Sequence, residues 1–170
     1  SGFTPSLDLA SLDGNNGFRL DGRDRFDYAG RSVASAGDIN GDGFGDIIVG
    51  AYGAEKEAGE SYVVFGKASG FAPVLELSTL NGLNGFRING VDAYDSSGFS
   101  VAAAGYDNGD GFGDILIGAN SADPGNLIDA GESYVVFGKA SGFGPSLDLA
   151  SLDGDSGFRL DGAGDDHYSG

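Results

Sequence analysis

The apolar positions of this chain fall in short clusters rather than along a helical stripe. "RSVASAG" (Arg31–Gly37) and "DIIVGA" (Asp46–Ala51) flank a polar stretch, and "SYVVFG" follows at Ser61–Gly66. A further segment, "GFRLDG" or "GFRING", begins at Gly17, Gly85 and Gly157. Runs this short, rich in Val, Ile, Phe and Tyr and bounded by Gly, Asn and Asp, predict strands joined by turns. They lack clean alternation, so the sheets are expected to be apolar on both faces. No segment sustains a 3.6-residue period, and helix is expected to be scarce.

The pattern then repeats. "GESYVVFGKASGF" stands at Gly59–Phe71 and again, letter for letter, at Gly131–Phe143. "SLDLASLDGNNGFRLDG" at Ser6–Gly22 returns as "VLELSTLNGLNGFRING" at Val74–Gly90 and "SLDLASLDGDSGFRLDG" at Ser146–Gly162. The spacing is 68 residues and then 72, the extra residues lying between Ala119 and Gly131. A four-stranded unit that is apolar on both faces must stack on copies of itself, and radial stacking is the propeller solution. The expected fold class is all-β, with β-propeller blades that are four-stranded antiparallel sheets. Two full blades plus a redundant extra strand are expected per chain. The expected division is an outer-strand segment over 1–22, blade 1 over 23–90, blade 2 over 91–162 and the start of a truncated third repeat over 163–170.

Composition narrows the function. The 170 residues are 40% apolar, which suits one globular domain with a sizeable core. A formal charge of −17 repels phosphates and anionic lipid, so neither nucleic acid nor membrane insertion is expected. The absence of Cys excludes disulfides, thiolate metal sites and a Cys nucleophile. With no Met anywhere, the sequence reads as an excised or mature segment.

The acidity is concentrated in two loops. "GDINGDGFGD" (Gly37–Asp46) returns as "GYDNGDGFGD" (Gly105–Asp114). In the first, oxygen-bearing side chains alternate as in loops that wrap a hard cation, with Gly43 for the sharp turn. The proposed ligands are Asp38, Asn40, Asp42, the Phe44 carbonyl oxygen and Asp46, and calcium suits them better than magnesium. An EF-hand is excluded because Val49 stands where a bidentate Glu is required and strands flank the loop. The second loop keeps Asn108, Asp110, the Phe112 carbonyl and Asp114. Tyr106 replaces its first Asp, so weaker binding is expected.

Strand, "GDINGDGFGD", "IIVGAY" and "GESYVVFG" in this order resemble the FG-GAP repeat of integrin α-subunit propellers and related bacterial surface proteins. The resemblance implies a propeller blade, usually one of seven, with calcium in the loop between its first two strands. Departures fall at Ala29-Gly30 and Ser97-Gly98, where the family has Phe-Gly, and at Tyr52 and Asn120, where it has Pro.

The expected function is a calcium-binding structural or interaction module, extracellular or at the cell surface, from an adhesion-type protein or self-assembling into a closed ring. Two-blade chains would give even blade numbers, six or eight. A lectin-like propeller is the alternative, with Tyr52, Tyr94 or Tyr168 stacking on sugars. An enzyme is not expected. The single His167 has Asp27 and Asp95 as its counterparts, and Asp165 and Asp166 sit in a variable tail. Arg19, Arg87 and Arg159 read as strand-face salt partners for nearby Asp.

Overall fold

The computed structural model describes residues 6–170, so the first five residues of the expected outer-strand segment lie outside the described residues. The strands are β1 (Arg19–Asp21), β2 (Ser32–Gly37), β3 (Asp46–Ala51), β4 (Glu60–Val64), β5 (Val74–Glu76) and β6 (Gly85–Asn89). The second repeat supplies β7 (Ser97–Gly105), β8 (Asp114–Ala119), β9 (Glu132–Val136), β10 (Ser146–Asp148) and β11 (Gly157–Asp161).

The apolar runs pair with their sequence neighbours. Blade 1 runs β2-β3-β4-β6 and blade 2 runs β7-β8-β9-β11, both antiparallel. Their registers match: Val33 faces Val49 and Val49 faces Tyr62, as Val101 faces Ile117 and Ile117 faces Tyr134. The chain is all-β in blade form. The segment Ala54–Glu57 makes one short turn, in which Glu55 and Lys56 are left-handed.

Blade 2 has these four strands, and blade 1 receives one more. The "SLD" of β10 leaves its own repeat and pairs in parallel with β6, adding a fifth strand to blade 1. The "VLE" of β5 pairs in parallel with β1 in the same way. Each repeat therefore hands its outer strand to the preceding blade. Sequence patterning does not reveal these strands, because each is three residues long and its partner lies far away in the chain.

Both faces of blade 1 are apolar, and each meets different neighbours. Ile48, Val63, Phe86 and Ile88 pack against Val101, Ile117, Tyr134 and Leu149 of the second repeat. Phe143 stacks on Phe86 at 4.1 Å between ring centroids. On the opposite face, Val49, Tyr62, Val64 and Leu77 form a separate cluster flanked by Leu20. Full burial of each such side chain stabilises by roughly 1.5–3 kcal/mol, so the inter-blade contact is a principal source of stability.

Two glutamates break the apolar rule. Glu60 and Glu132 are buried and accept from the hydroxyls of Tyr62 and Tyr134. Arg23 and Arg87 lie 3.3 and 3.5 Å from Glu60, and Arg159 lies 3.1 Å from Glu132. Arg19 and Arg159 also pair with Asp21 and Asp161, as expected of strand-face partners. Arg159 thus serves two carboxylates, and Arg87 meets the buried Glu60 rather than the nearby Asp expected of it, because a carboxylate out of water requires a counter-charge.

Asp95 is also buried, on the turn that leads into β7, where its carboxylate accepts from the Asp92 amide. Burial pushes its pKa up to about 6; the Asp92 amide bond opposes this, and the charges of Asp92, Glu132 and Asp123 add to the rise. A raised carboxyl pKa means that the folded state holds the proton more tightly than the unfolded chain. Ionisation therefore costs stability above about pH 6, and the cost is relieved as pH falls from there toward the ordinary value near 4. Denaturant titrations of the wild type and Asp95→Asn should differ by an amount that changes on the order of 2 kcal/mol between about pH 7.5 and pH 4. A difference independent of pH would remove this role from Asp95.

Candidate metal centre

Each acidic loop is the turn of a hairpin, the first joining β2 to β3 and the second joining β7 to β8. Glycines at 41 and 43, and at 109 and 111, adopt positive φ, which lets the chain reverse within so few residues. The side chains then fold back on the loop's own amides. Asp38 accepts from the amides of Asp42 at 3.0 Å and Gly43 at 2.8 Å. Asn40 Oδ1 accepts from the Asp42 amide at 3.0 Å, and Asp42 Oδ1 accepts from the Phe44 amide at 2.9 Å.

Asp46 closes the base of the loop. It is buried, and its carboxylate oxygens accept from Ile39 at 2.9 Å and from Gly66, just beyond β4, at 2.8 Å. It thereby ties the loop to the third strand of its blade. Burial pushes its pKa up to about 6 against those two amide bonds, and the charges of Asp42 and Asp38 push it further. Two like charges therefore act on Asp46 within one short loop.

The second loop repeats the plan. Asp114 is buried and accepts from Asp107 at 2.7 Å and Gly138 at 3.0 Å. Asn108 Oδ1 accepts from the Asp110 amide at 3.0 Å, and Asp110 Oδ1 accepts from the Phe112 amide at 2.9 Å. Tyr106 contributes no carboxylate and its side chain is exposed, as is that of Asp107. Where the Asp38 side chain ties down two amides of the first loop, Tyr106 offers its backbone carbonyl, which accepts from the Gly109 amide at 3.0 Å.

The donor chemistry fits a hard divalent cation, since every side-chain donor proposed is oxygen. Each carboxylate oxygen retains lone-pair capacity beyond the amide it already accepts from. In both loops the Asn side-chain amide donates to the Asp two residues on, Asn40 to Asp42 and Asn108 to Asp110, each at 2.9 Å. That amide supplies Asp42 or Asp110 with the partial positive charge that a cation would supply more strongly. Among the described residues, no group of three or more His, Cys, Asp or Glu side chains converges as a ready metal cage. The loops have the ligand order of a cation site, with their oxygens directed at their own backbone.

The first loop has a brace that sequence reasoning missed. Gly113 donates to the Asp38 carbonyl at 2.8 Å, and Lys139 donates to the Ile39 carbonyl at 2.9 Å. The Phe112 ring covers Gly41 so closely that a Cβ there would lie 2.3 Å from it. One blade's loop is thus held by the next blade. The signal available in the sequence was Phe at the same place in both loops, Phe44 and Phe112.

The other candidates are dispersed. Tyr52 stacks on Tyr28 and meets the edge of Phe99, so it serves packing, whereas Tyr94 and Tyr168 are exposed. Asp165 accepts from the Ile128 amide, and His167 is exposed near the end of the chain.

Comparison with known proteins agrees with this topology. Residues 29–64, spanning β2, the first loop, β3 and β4, match the FG-GAP repeat family. The chain is 39% identical over 99 residues to integrin alpha pat-2 of Caenorhabditis elegans, which covers 58% of this chain and 8% of that protein. It is 32% identical over 133 residues to integrin alpha-4 of Xenopus laevis, covering 76% of this chain and 12% of that protein. It is 34% identical over 115 residues to phosphatidylinositol-glycan-specific phospholipase D of Mus musculus, covering 65% and 13% respectively. The chain thus spans only a small part of these relatives, and no described helix is long and apolar enough to cross a membrane. The match over residues 29–64 and the blade topology common to both repeats together identify an FG-GAP repeat in a chain folded as β-propeller blades.

Proposed function

We propose that the chain is a calcium-braced structural and interaction module, working outside the cell or at its surface. The observation that carries this reading is the pair of acidic loops at the same hairpin of both blades, each anchored by a buried Asp to the end of its third strand. Integrin α-chains among the similar proteins support the placement and the interaction role. The activity in the phospholipase name belongs to a whole protein of which the matched stretch is 13%.

In the first loop Asp38, Asn40, Asp42, the Phe44 carbonyl and Asp46 would hold the ion. In the second, Asn108, Asp110, the Phe112 carbonyl and Asp114 would do so. A bound calcium ion supplies a divalent positive charge that offsets the repulsion among the loop carboxylates. Asp46 and Asp114 keep each hairpin attached to the sheet, so order in the loop is passed to the blade. Asp38 and Asp42 hold the turn closed through its amides. The chain with Tyr106 in place of an acid lacks that closure in its second loop.

Calcium should raise the melting temperature and chelator should lower it, and Asp42→Ala should lose most of the shift contributed by the first loop. Identical melting with calcium and with chelator, in the wild type and the variant alike, would refute the metal assignment. Titration calorimetry separates the two loops. Tyr106→Asp should tighten the weaker calcium site at least tenfold, because it restores a carboxylate at the first ligand position. An unchanged isotherm would show that Tyr106 does not limit that site.

A further inference from the structure

Three pairs of corresponding residues in the two blades differ sharply in exposure, and the difference follows which face has a blade beside it. Phe86 and Ile88 of blade 1 are 0% and 1% exposed beneath the second repeat, while Phe158 and Leu160 of blade 2 are 38% and 53% exposed. Conversely, Val101 of blade 2 is 8% exposed against blade 1, while Val33 is 60% exposed. One face of each blade is fully covered within the chain, while the complementary face keeps exposed apolar side chains at its edge, Val33 on blade 1 and Phe158 and Leu160 on blade 2. What covers the closed faces is known, because the chain itself supplies it.

The open face of blade 1 is only partly filled. Residues 6–22 lie against it, with β1 along β5 and Phe18 stacked on Phe71 at 4.0 Å. The fit is incomplete: Leu9 is 76% exposed, whereas its counterparts Leu77 and Leu149 are each 2% exposed. An apolar cavity of about 380 Å³ remains beside Leu9, Phe18, Leu20, Val33, Val49 and Leu77. The segment that fills this place, residues 6–22, differs from residues 146–162 only at positions 15 and 16 against 155 and 156. The strand needed on β5 is therefore also present as β11, with the same Arg-Leu-Asp.

We propose that blade 2 of a second copy of this chain docks on the open face of blade 1, its β11 replacing β1 along β5. The internal contact sets the register. Ser146, Leu147 and Asp148 face Arg87, Ile88 and Asn89 in parallel, so Val74, Leu75 and Glu76 will face Arg159, Leu160 and Asp161 of the copy. Phe71 then stacks on the copy's Phe158 as Phe143 stacks on Phe86. Arg159 brings its own carboxylate partner, Asp161, just as Arg19 brings Asp21 to β5 now. On β5 the strand β11 makes the same three-residue parallel pairing as β1, and replacement is favoured because β11 brings with it the whole blade to which five antiparallel pairs hold it.

The same contact completes the second acidic loop. Phe112 covers Gly41 of the first loop, but nothing lies within 4 Å of a Cβ placed on Gly109, and Phe44 is exposed. In the assembly Phe44 of one copy covers Gly109 of the next, and the amide of Gly45 takes the role that Gly113 has toward Asp38. This contact uses two different faces, so it continues from copy to copy until a ring closes. The inference stands on apolar complementarity and does not depend on the calcium reading.

Light scattering on the full chain at physiological salt tests it, using Val33→Arg and Leu160→Arg. Both positions are exposed within one copy, so the variants should keep the wild-type circular dichroism and melting curve. The wild type should have the mass of several chains, and each variant alone should fall to the mass of one. Leu83→Arg, at a position 90% exposed on the turn before β6, should keep the wild-type mass. An equimolar mixture of the Val33→Arg and Leu160→Arg chains should form a dimer, since each retains the face that the other lacks. A monomeric wild type, variants that keep the wild-type mass, or a mixture that stays monomeric would each overturn the proposal.

Discussion

A sheet that is apolar on both faces has no stable existence alone, and every other feature of this chain follows from that constraint. Ile48 and Val63 on one face of blade 1 and Val49 and Tyr62 on the other must both leave water. A second blade satisfies the first pair. Segments from outside the four-stranded sheet, β1 and the Leu77 turn, serve the second. The polar chemistry is confined to the edges and hairpins, where backbone reversal would be needed in any case. There the carboxylates of Asp38, Asp42, Asp46, Asp110 and Asp114 cap amides that the sheet ladder cannot reach.

Much of this was legible because repetition turns weak local signals into strong ones. "DIIVGA" and "DILIGA" could each be a buried helix segment by periodicity alone. Their recurrence between the same turns and strands makes them central strands, and they are β3 and β8. The acidic loops were legible as hairpin turns with a fixed order of oxygens. Asp46 and Asp114 were foreseen only as ligands, yet both sit out of solvent and hold the end of the third strand. A carboxylate reads as a surface residue in composition, and only packing reveals its second contact.

The illegible parts share a cause: their partners are distant in sequence. The three-residue strands β5 and β10 gain their identity from β1 and β6, which no local window contains. Glu60 and Glu132 stand at the start of an apolar run, and nothing local says that Arg87 and Arg159 will come to meet them. Likewise the brace from Gly113 and Lys139 onto the first loop depends on how blades stack. Residue types and turns are written locally, whereas the contacts that give them their work are written across repeats.

The parallel outer strand means that the unit of sequence and the unit of structure are out of phase. Each repeat lays down three strands of its own blade, then gives a short strand to the blade before it, and only afterwards adds its fourth strand. A duplication of the coding segment would therefore carry, within each new copy, the piece that fastens it to its predecessor. Rows of such blades can lengthen or shorten in evolution by whole repeats without any new interface having to arise.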